Sequence, residues 1–344
     1  MHSISRLSRR DFLRLAGYGA LGLLLPDLPA SPFPQILVPG LEGRVTDKSA
    51  WLYSEPTPQA SKVEMVWRDL VIPITGAVIS EDESAYNRLW YEVEKKGYIY
   101  SGGVQPVHTL LNEPVAEVPA SGLLGEISVP FADAHEEPGP DAKVSHRLYY
   151  QTVHWIMTLE PGADGQAWYG LLDDKRELLY YIPARYIRLI PDAELAPLSP
   201  EIPDDEKLIE VNLARQLVLA YEQSRLVFAA RAATGGQFRD GRWTTPQGQF
   251  ITSYKRPTRH MAAGDITASG FDLPGVPWVL YITKGGISLH GTYWHNDYGH
   301  PRSHGCINLT PQAAKWLYRW TAPVVEPGKQ FAYEYYGTKV LIVE

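Results

Sequence analysis

The chain contains one cysteine, Cys306, set in Ser303-His304-Gly305-Cys306-Ile307-Asn308, sixteen positions after His290. Four histidines, His290, His295, His300 and His304, share that stretch. A free thiol has a pKa of ~8.5 and becomes a nucleophile when a neighbouring cation favours the thiolate. An imidazole meets that need, because one ring can take the thiol proton while another orients the reacting group. A cysteine kept only as a small apolar filler would need no such company. The same residue types could hold zinc, but structural zinc uses Cys pairs at short spacing, and a single Cys argues against it. No metal and no cofactor are therefore expected.

Local patterns indicate what must position these groups. Trp278-Val279-Leu280-Tyr281-Ile282 reads as a strand turning through Gly285-Gly286 into Ile287-Ser288-Leu289-His290, which puts His290 at a strand end. Just after the cysteine, Thr310 can cap a helix whose first turn suits Pro311. Leu208 to Ala233 is ambiguous. Its Ala, Leu, Arg and Gln favour helix, whereas the alternation of Ile209, Val211 and Leu213, then Leu217, Leu219 and Tyr221, favours strands.

Ile287-Ser288-Leu289-His290-Gly291-Thr292, followed by Gly299-His300-Pro301-Arg302-Ser303-His304-Gly305-Cys306-Ile307-Asn308-Leu309, resembles the signature of the L,D-transpeptidase family, also called the YkuD domain. Trp243-Thr244-Thr245-Pro246-Gln247-Gly248-Gln249-Phe250 is similar to the family's Thr-Pro-x-Gly-x-Phe segment. The resemblance covers Glu206 to Glu344 and departs at Asn308, where many members carry Arg. It implies a β-rich sandwich with a cradle-like site, and so favours strands over Leu208 to Ala233. It also implies that Cys306 is the nucleophile and His290 the general base, with the Gly291 carbonyl fixing the imidazole tautomer. His304 would support the oxyanion or the substrate. Gly305 would let the backbone approach the substrate, with N–H groups nearby for an oxyanion. Ser303, Asn308 and Tyr281 are the expected substrate contacts, and His295 and His300 the expected solvated rim. The implied reaction is acyl transfer between peptidoglycan stem peptides, donor and acceptor, through a Cys306 thioester. Loss of a terminal D-Ala would give a 3→3 cross-link. Resolution by water would make the protein an L,D-carboxypeptidase, and a degenerate domain would leave a non-catalytic wall-binding protein.

The first residues address location. Ser8-Arg9-Arg10-Asp11-Phe12-Leu13-Arg14 resembles a twin-arginine export signal, and Leu15 to Leu28 is a short apolar core bearing Gly17, Gly19 and Gly22. A spanning helix needs about 20 apolar residues, so this core reads as a signal. Cleavage after Ala30 and an extracytoplasmic enzyme are expected, with the export machinery as a partner and the membrane touched only through an uncleaved signal. A formal charge of −7 argues against nucleic-acid binding. One cysteine permits no intramolecular disulfide, so stability must come from packing, for which ten Trp and twenty-one Tyr are available.

The expected fold is mainly β: one or two small SH3-like barrels, then a β-sandwich catalytic domain with a helix after the nucleophile. The expected division is a signal at 1–30, a Pro/Ser/Gly-rich linker at 31–62, an SH3-like module at 63–110 and a second at 111–192. A proline-rich linker at 193–205 then leads to the catalytic domain at 206–344. Trp90-Tyr91 before Gly97-Tyr98-Ile99, and Trp168-Tyr169 before Tyr181-Ile182, carry the SH3-like resemblance. Their aromatic pairs are expected in the barrel cores.

Overall fold

Short runs rich in β-branched and aromatic residues, broken by turn residues, favour a pleated and half-buried surface. The structure, a computed structural model, describes residues 40–264 and 270–344. The expected export signal lies outside the described residues, as does the 31–39 part of the lead-in. Strands β1 (Glu42–Val45), β2 (Ser49–Tyr53), β3 (Lys62–Trp67), β4 (Val71–Ile79), β5 (Leu89–Val93), β6 (Gly97–Tyr100) and β7 (Val104–Val107) form one antiparallel sheet. Its order is β3-β2-β6-β5-β4-β1-β7. All seven strands contribute to one core, including Val45, Leu52, Val66, Ile74, Tyr91, Ile99 and Val104, so the sheet must curl on itself. A bulge between Ile74 and Gly76 lets β4 pair with β1 at one end and β5 at the other.

Residues 42–53, expected to be part of a linker, are instead β1 and β2. The strand character of β1 is hidden because it buries an arginine. Arg44 is satisfied by Gln105 at 2.8 Å and Asp69 at 2.9 Å.

Strands β8 (Leu123–Ile127), β9 (Phe131–His135), β10 (Val144–Tyr149), β11 (Val153–Pro161), β12 (Ala167–Asp173), β13 (Leu178–Pro183) and β14 (Ile187–Leu189) form a second sheet. Its order, β10-β9-β13-β12-β11-β8-β14, is the first order shifted by seven strands. A 3₁₀ turn precedes the last strand in both, at Ser101–Gly103 and Ala184–Tyr186. Trp90-Tyr91 and Trp168-Tyr169 fall on the equivalent strands β5 and β12, and all four rings are buried.

The remaining elements are β15 (Lys207–Asn212), β16 (Leu217–Glu222), β17 (Arg225–Arg231), β18 (Gly248–Ile251), β19 (Tyr254–Ala263), β20 (Phe271–Tyr281), β21 (Ser288–Gly291), β22 (Ile307–Leu309), α1 (Pro311–Trp320), β23 (Ala332–Tyr333) and β24 (Lys339–Val343). They make two five-stranded sheets, β17-β16-β15-β24-β18 and β22-β21-β20-β19-β23. Val211, Val218, Leu280, Leu289, Ile307 and Ile342 share the core with Ala314 and Leu317 of α1. On β16 the buried face is Val218, Ala220 and Glu222, while the bulkier Leu217, Leu219 and Tyr221 are only half-buried.

Helix α1 starts as its sequence indicates, with the Thr310 hydroxyl accepting from the Ala313 N–H at 3.2 Å. At its other end two buried lysines face the carbonyls. Lys255 Nζ donates to Tyr318 O and Thr321 O at 2.7 and 2.6 Å, and Lys207 Nζ to Trp320 O at 3.2 Å. Cations suit the negative end of a helix dipole. Burial nonetheless pulls the Lys255 pKa down to about 7. The proline-rich 193–205 stretch is strapped to this helix, Leu198 N–H donating to Arg319 O at 3.0 Å and Arg319 Nε to Ala196 O at 2.9 Å.

The two N-terminal sheets meet the last unit differently. The second shares its core through Leu124, Val153, Trp155 and Ile190. The first meets it through polar contacts, among them Arg44 donating to Tyr293 O and Asn296 N–H donating to Gly102 O. Among the described residues, no helix is long and apolar enough to cross a membrane.

Candidate active site

Strands β21 and β22 are parallel neighbours, with Leu289 opposite Ile307 and His290 opposite Asn308. Leu289 and Ile307 enter the core, so by the period of two the flanking residues point to the other face. That face brings together Ser288 and His290 from β21 with Cys306, just before β22, and Asn308. The parallel pairing thus sets thiol and imidazole side by side from positions sixteen residues apart. Cys306 Sγ lies 3.7 Å from Ser288 Oγ and 3.8 Å from the Gly286 carbonyl.

His290 is buried, and its Nδ1 meets the Gly291 carbonyl at 3.0 Å. A carbonyl only accepts, so Nδ1 carries the proton and Nε2 is left to accept from the thiol. Burial pushes the Cys306 thiol up. The hydrogen bond and charge of His290, with help from Ser288, more than offset it and leave the thiol below its ordinary range. Ser288 is the participant that sequence reasoning missed. Its signal was its place two residues before His290, on the same strand face.

The turn that presents Cys306 is clamped by side chains. Ser303 Oγ accepts from the Gly305 N–H at 3.0 Å and donates to the Cys306 carbonyl. Thr245 Oγ1 donates to the Gly305 carbonyl at 2.8 Å and accepts from the Gly235 N–H at 2.8 Å. The Trp243–Phe250 segment therefore supports the turn. Gly305 has φ +148, and a Cβ there would sit 2.7 Å from Ile287 Cδ1 and 3.1 Å from the Thr244 carbonyl. A side chain at this position would be strained and would force Ile287 and the Thr244 backbone to give way.

Other expected site residues lie elsewhere or do other work. Asn308, expected to contact substrate, is buried, its side-chain amide held 3.0 Å from His295 Nε2. His295, expected at a solvated rim, is buried as well, and burial pulls its pKa down to about 3. Its Nδ1 accepts from the Asp297 N–H at 3.2 Å, so the neutral ring carries its proton on Nε2 and donates to the Asn308 amide oxygen, a strut of the loop. Ser303 spends its hydroxyl on the turn. His304 is exposed, with its ring 6.1 Å from that of Phe271. His300 is partly exposed and bound to Asp297 at 2.7 Å. Tyr281 stacks on Tyr254 at 5.1 Å, and burial raises its pKa to about 12, so it stays a neutral donor.

A second cluster lies between the second sheet and the last unit. The donor atoms of His146, His260 and Asp272 lie within 4.8 Å of one another. Arg176 already supplies a cation there, 2.9 Å from both His146 Nε2 and Asp272 Oδ2. These contacts hold the cluster together as an ion network.

Residues 206–342 match the family model for YkuD, the L,D-transpeptidase catalytic domain. Among solved structures, the chain is similar to a variant of the Enterococcus faecium L,D-transpeptidase at 24% identity, covering 40% of this chain and 50% of that one with a TM-score of 0.31. It is also similar to an L,D-transpeptidase from Mycobacterium smegmatis at 18% identity, covering 55% and 98% with a TM-score of 0.33. A third is L,D-transpeptidase 3 from Mycobacterium tuberculosis, in complex with a faropenem-derived adduct, at 17% identity, 49% and 74% coverage and a TM-score of 0.32. The chain spans about half the length of the Enterococcus faecium protein. Comparison with curated proteins gives no match.

Proposed function

We propose that the C-terminal YkuD domain is a cysteine acyltransferase that forms 3→3 cross-links between peptidoglycan stem peptides. The observation that carries this is the buried His290, its tautomer fixed by the Gly291 carbonyl, on the same strand face as a thiol whose pKa it lowers. His290 Nε2 takes the Cys306 proton, and the thiolate attacks the carbonyl of the stem residue preceding a terminal D-Ala. The Gly305 N–H is already given to Ser303, so the Cys306 amide is the backbone donor left for the oxyanion. Collapse breaks the amide bond, and D-Ala leaves with the proton held by His290, giving a thioester. An acceptor amine from a neighbouring stem then attacks the thioester, and the thiol is regenerated. No cofactor takes part. The two N-terminal sheets are read as SH3-like modules, and the chain as exported through its twin-arginine segment to the cell wall.

Intact mass of the purified chain incubated with a tetrapeptide-stem muropeptide tests this reading. A thioester on Cys306 with D-Ala release and a 3→3 dimer is expected. Release without dimer would mark a carboxypeptidase, and a folded protein giving neither product would mark a wall-binding protein. Cys306→Ser should lose at least about 10³-fold in turnover while melting as the parent does, since the alcohol is far less ionised.

A further inference from the structure

The loop from Thr292 to Gly305, which joins the proposed base to the proposed nucleophile, is held from outside the catalytic unit. Its centre is Asp297, buried at 4% exposure. Both carboxylate oxygens accept from Tyr86 OH at 2.9 Å, and Oδ1 also accepts from Tyr100 OH at 2.9 Å. Tyr86 lies between β4 and β5, and Tyr100 ends β6, so both donors belong to the first seven-stranded sheet. Oδ2 further binds His300 Nε2 at 2.7 Å and Arg302 Nη1 at 3.0 Å, both on the loop itself. Backbone contacts run alongside. Asn296 bonds to the Gly102 and Ser101 carbonyls at 3.1 and 3.2 Å, and Arg231 reaches the Tyr86 carbonyl at 2.7 Å. The fit is close, because a Cβ on Gly102 would lie 2.6 Å from Asp297 Oδ1.

We propose that Asp297 is a positioning residue through which Tyr86 and Tyr100 of the first sheet set the thiol–imidazole geometry. This rests on the reading of Cys306 and His290 given above. The route is short and physical. Asp297, fixed by the two phenols, gives its N–H to His295, and His295 holds Asn308. Asn308 lies in register beside His290, two residues from Cys306. Residues 302 and 303 are pinned on the other side by the Thr234 carbonyl at 2.9 and 3.0 Å. The first sheet therefore completes a clamp that the catalytic unit closes on one side only. The catalytic unit alone should keep its strands and lose the alignment of the site.

The test uses the full chain with Tyr86→Phe/Tyr100→Phe, which removes two hydroxyls and no ring, alongside Asp297→Asn. Tyr335→Phe, at a residue 91% exposed, is the control. Iodoacetamide alkylation of Cys306 across pH is read together with kcat and KM on the muropeptide, below the melting temperature of each variant. A misplacement of about 1 Å can cost ~10²-fold. The double variant should thus lose between about 10-fold and 100-fold in kcat with KM little changed. Its alkylation profile should move to higher pH, since a displaced His290 no longer favours the thiolate. If the double variant does not fold, Tyr86→Phe alone is read by the same criteria. A folded variant that melts lower yet keeps the parent profile and kcat would reduce the contact to a structural one and overturn the proposal. Should the parent release no D-Ala, the transpeptidase reading fails separately, and the alkylation profiles still decide the positioning role.

Discussion

The two seven-stranded sheets share a strand order but join the catalytic unit by opposite means. The second gives it apolar side chains, Leu124, Val153, Trp155 and Ile190, which enter the same core as β20, β21 and α1. The first gives it phenols, an arginine and backbone carbonyls, aimed at one loop. Burial of apolar area is strong and indifferent to direction, whereas hydrogen bonds are weaker and specify where an atom must be. One seam is therefore a shared core, and the other a set of directed contacts to the loop between His290 and Cys306. Between the sheets, Arg44 stacks on Tyr149 at 4.1 Å and donates to Tyr293 O, tying all three units at one point.

Trp155→Ala should break the apolar seam and gives the largest stability effect. Truncating a buried Trp costs ~3–5 kcal/mol. The lower half of that range is expected, because Trp155 Nε1 is buried without a hydrogen-bond partner among the described residues, and the change removes that orphan donor too. Trp155→Phe keeps most of the ring and should cost clearly less. Urea denaturation measures both. An alanine variant within about 1 kcal/mol of the parent would mean that the second sheet is not cored to the catalytic unit.

The second seam also carries charge, which sharpens the comparison. His260 Nδ1 faces both Asp173 oxygens at 2.9 Å, and its Nε2 faces Asp272. Burial lowers its pKa, but the two carboxylates more than reverse this and hold it above the ordinary value. Its contribution is full below ~6.5 and is lost as pH rises through the raised value. Asp173 is driven up by burial, yet His260 and the backbone N–H groups of Arg176 and Lys175 bring it down to about 2. Its contribution is present above the ordinary carboxylate value and fails only as pH falls through about 2. His154, kept neutral by burial with a pKa of about 3, works the other way and destabilises as pH drops from ~6.5. Arg176 and Asp174 are further charges at the site, Asp174 accepting from the His260 N–H at 2.8 Å, and His146 faces it with a pKa lowered by burial and Arg176. His260→Gln should therefore cost ~2 kcal/mol at pH 6 and distinctly less at pH 9. An equal cost at both pH values would show that His260 is not held as the imidazolium.

What the sequence made legible follows from the same division. The juxtaposition of Cys306, His290 and the Gly291 carbonyl was readable because it depends on neighbours along two short strands, and Thr310-Pro311 because capping is local. Asn308 and His295 were misplaced because each is a polar side chain buried by a partner thirteen residues away, which no periodicity encodes. The Asp297 hub spans about two hundred residues of sequence, and no local pattern links its members. β1 was hidden by its buried Arg44. The inner face of β16 carries the smaller Val218 and Ala220, so alternation of large residues marks the wrong side. Tertiary contact, and not local pattern, decided each of these.

The smallest expected effect bears on where the polar seam keeps its strength. Arg302 has two acidic neighbours: buried Asp297 at 3.0 Å, and Asp47 of the first sheet at 3.6 Å with 41% of its side chain exposed. An exposed pair at that separation is worth ~0–1 kcal/mol and is screened by salt. Asp47→Asn should change stability by less than about 0.5 kcal/mol, leave the Cys306 alkylation profile where it was, and show less effect still at high salt. The contrast with Asp297→Asn is then one of burial and of partners, since both carboxylates bind the same guanidinium, but Asp297 does so from within the loop and reaches the first sheet through the two phenols. If the two substitutions moved the alkylation profile equally, Arg302 and its charge would carry the coupling. The phenol–carboxylate contacts would then be incidental to it.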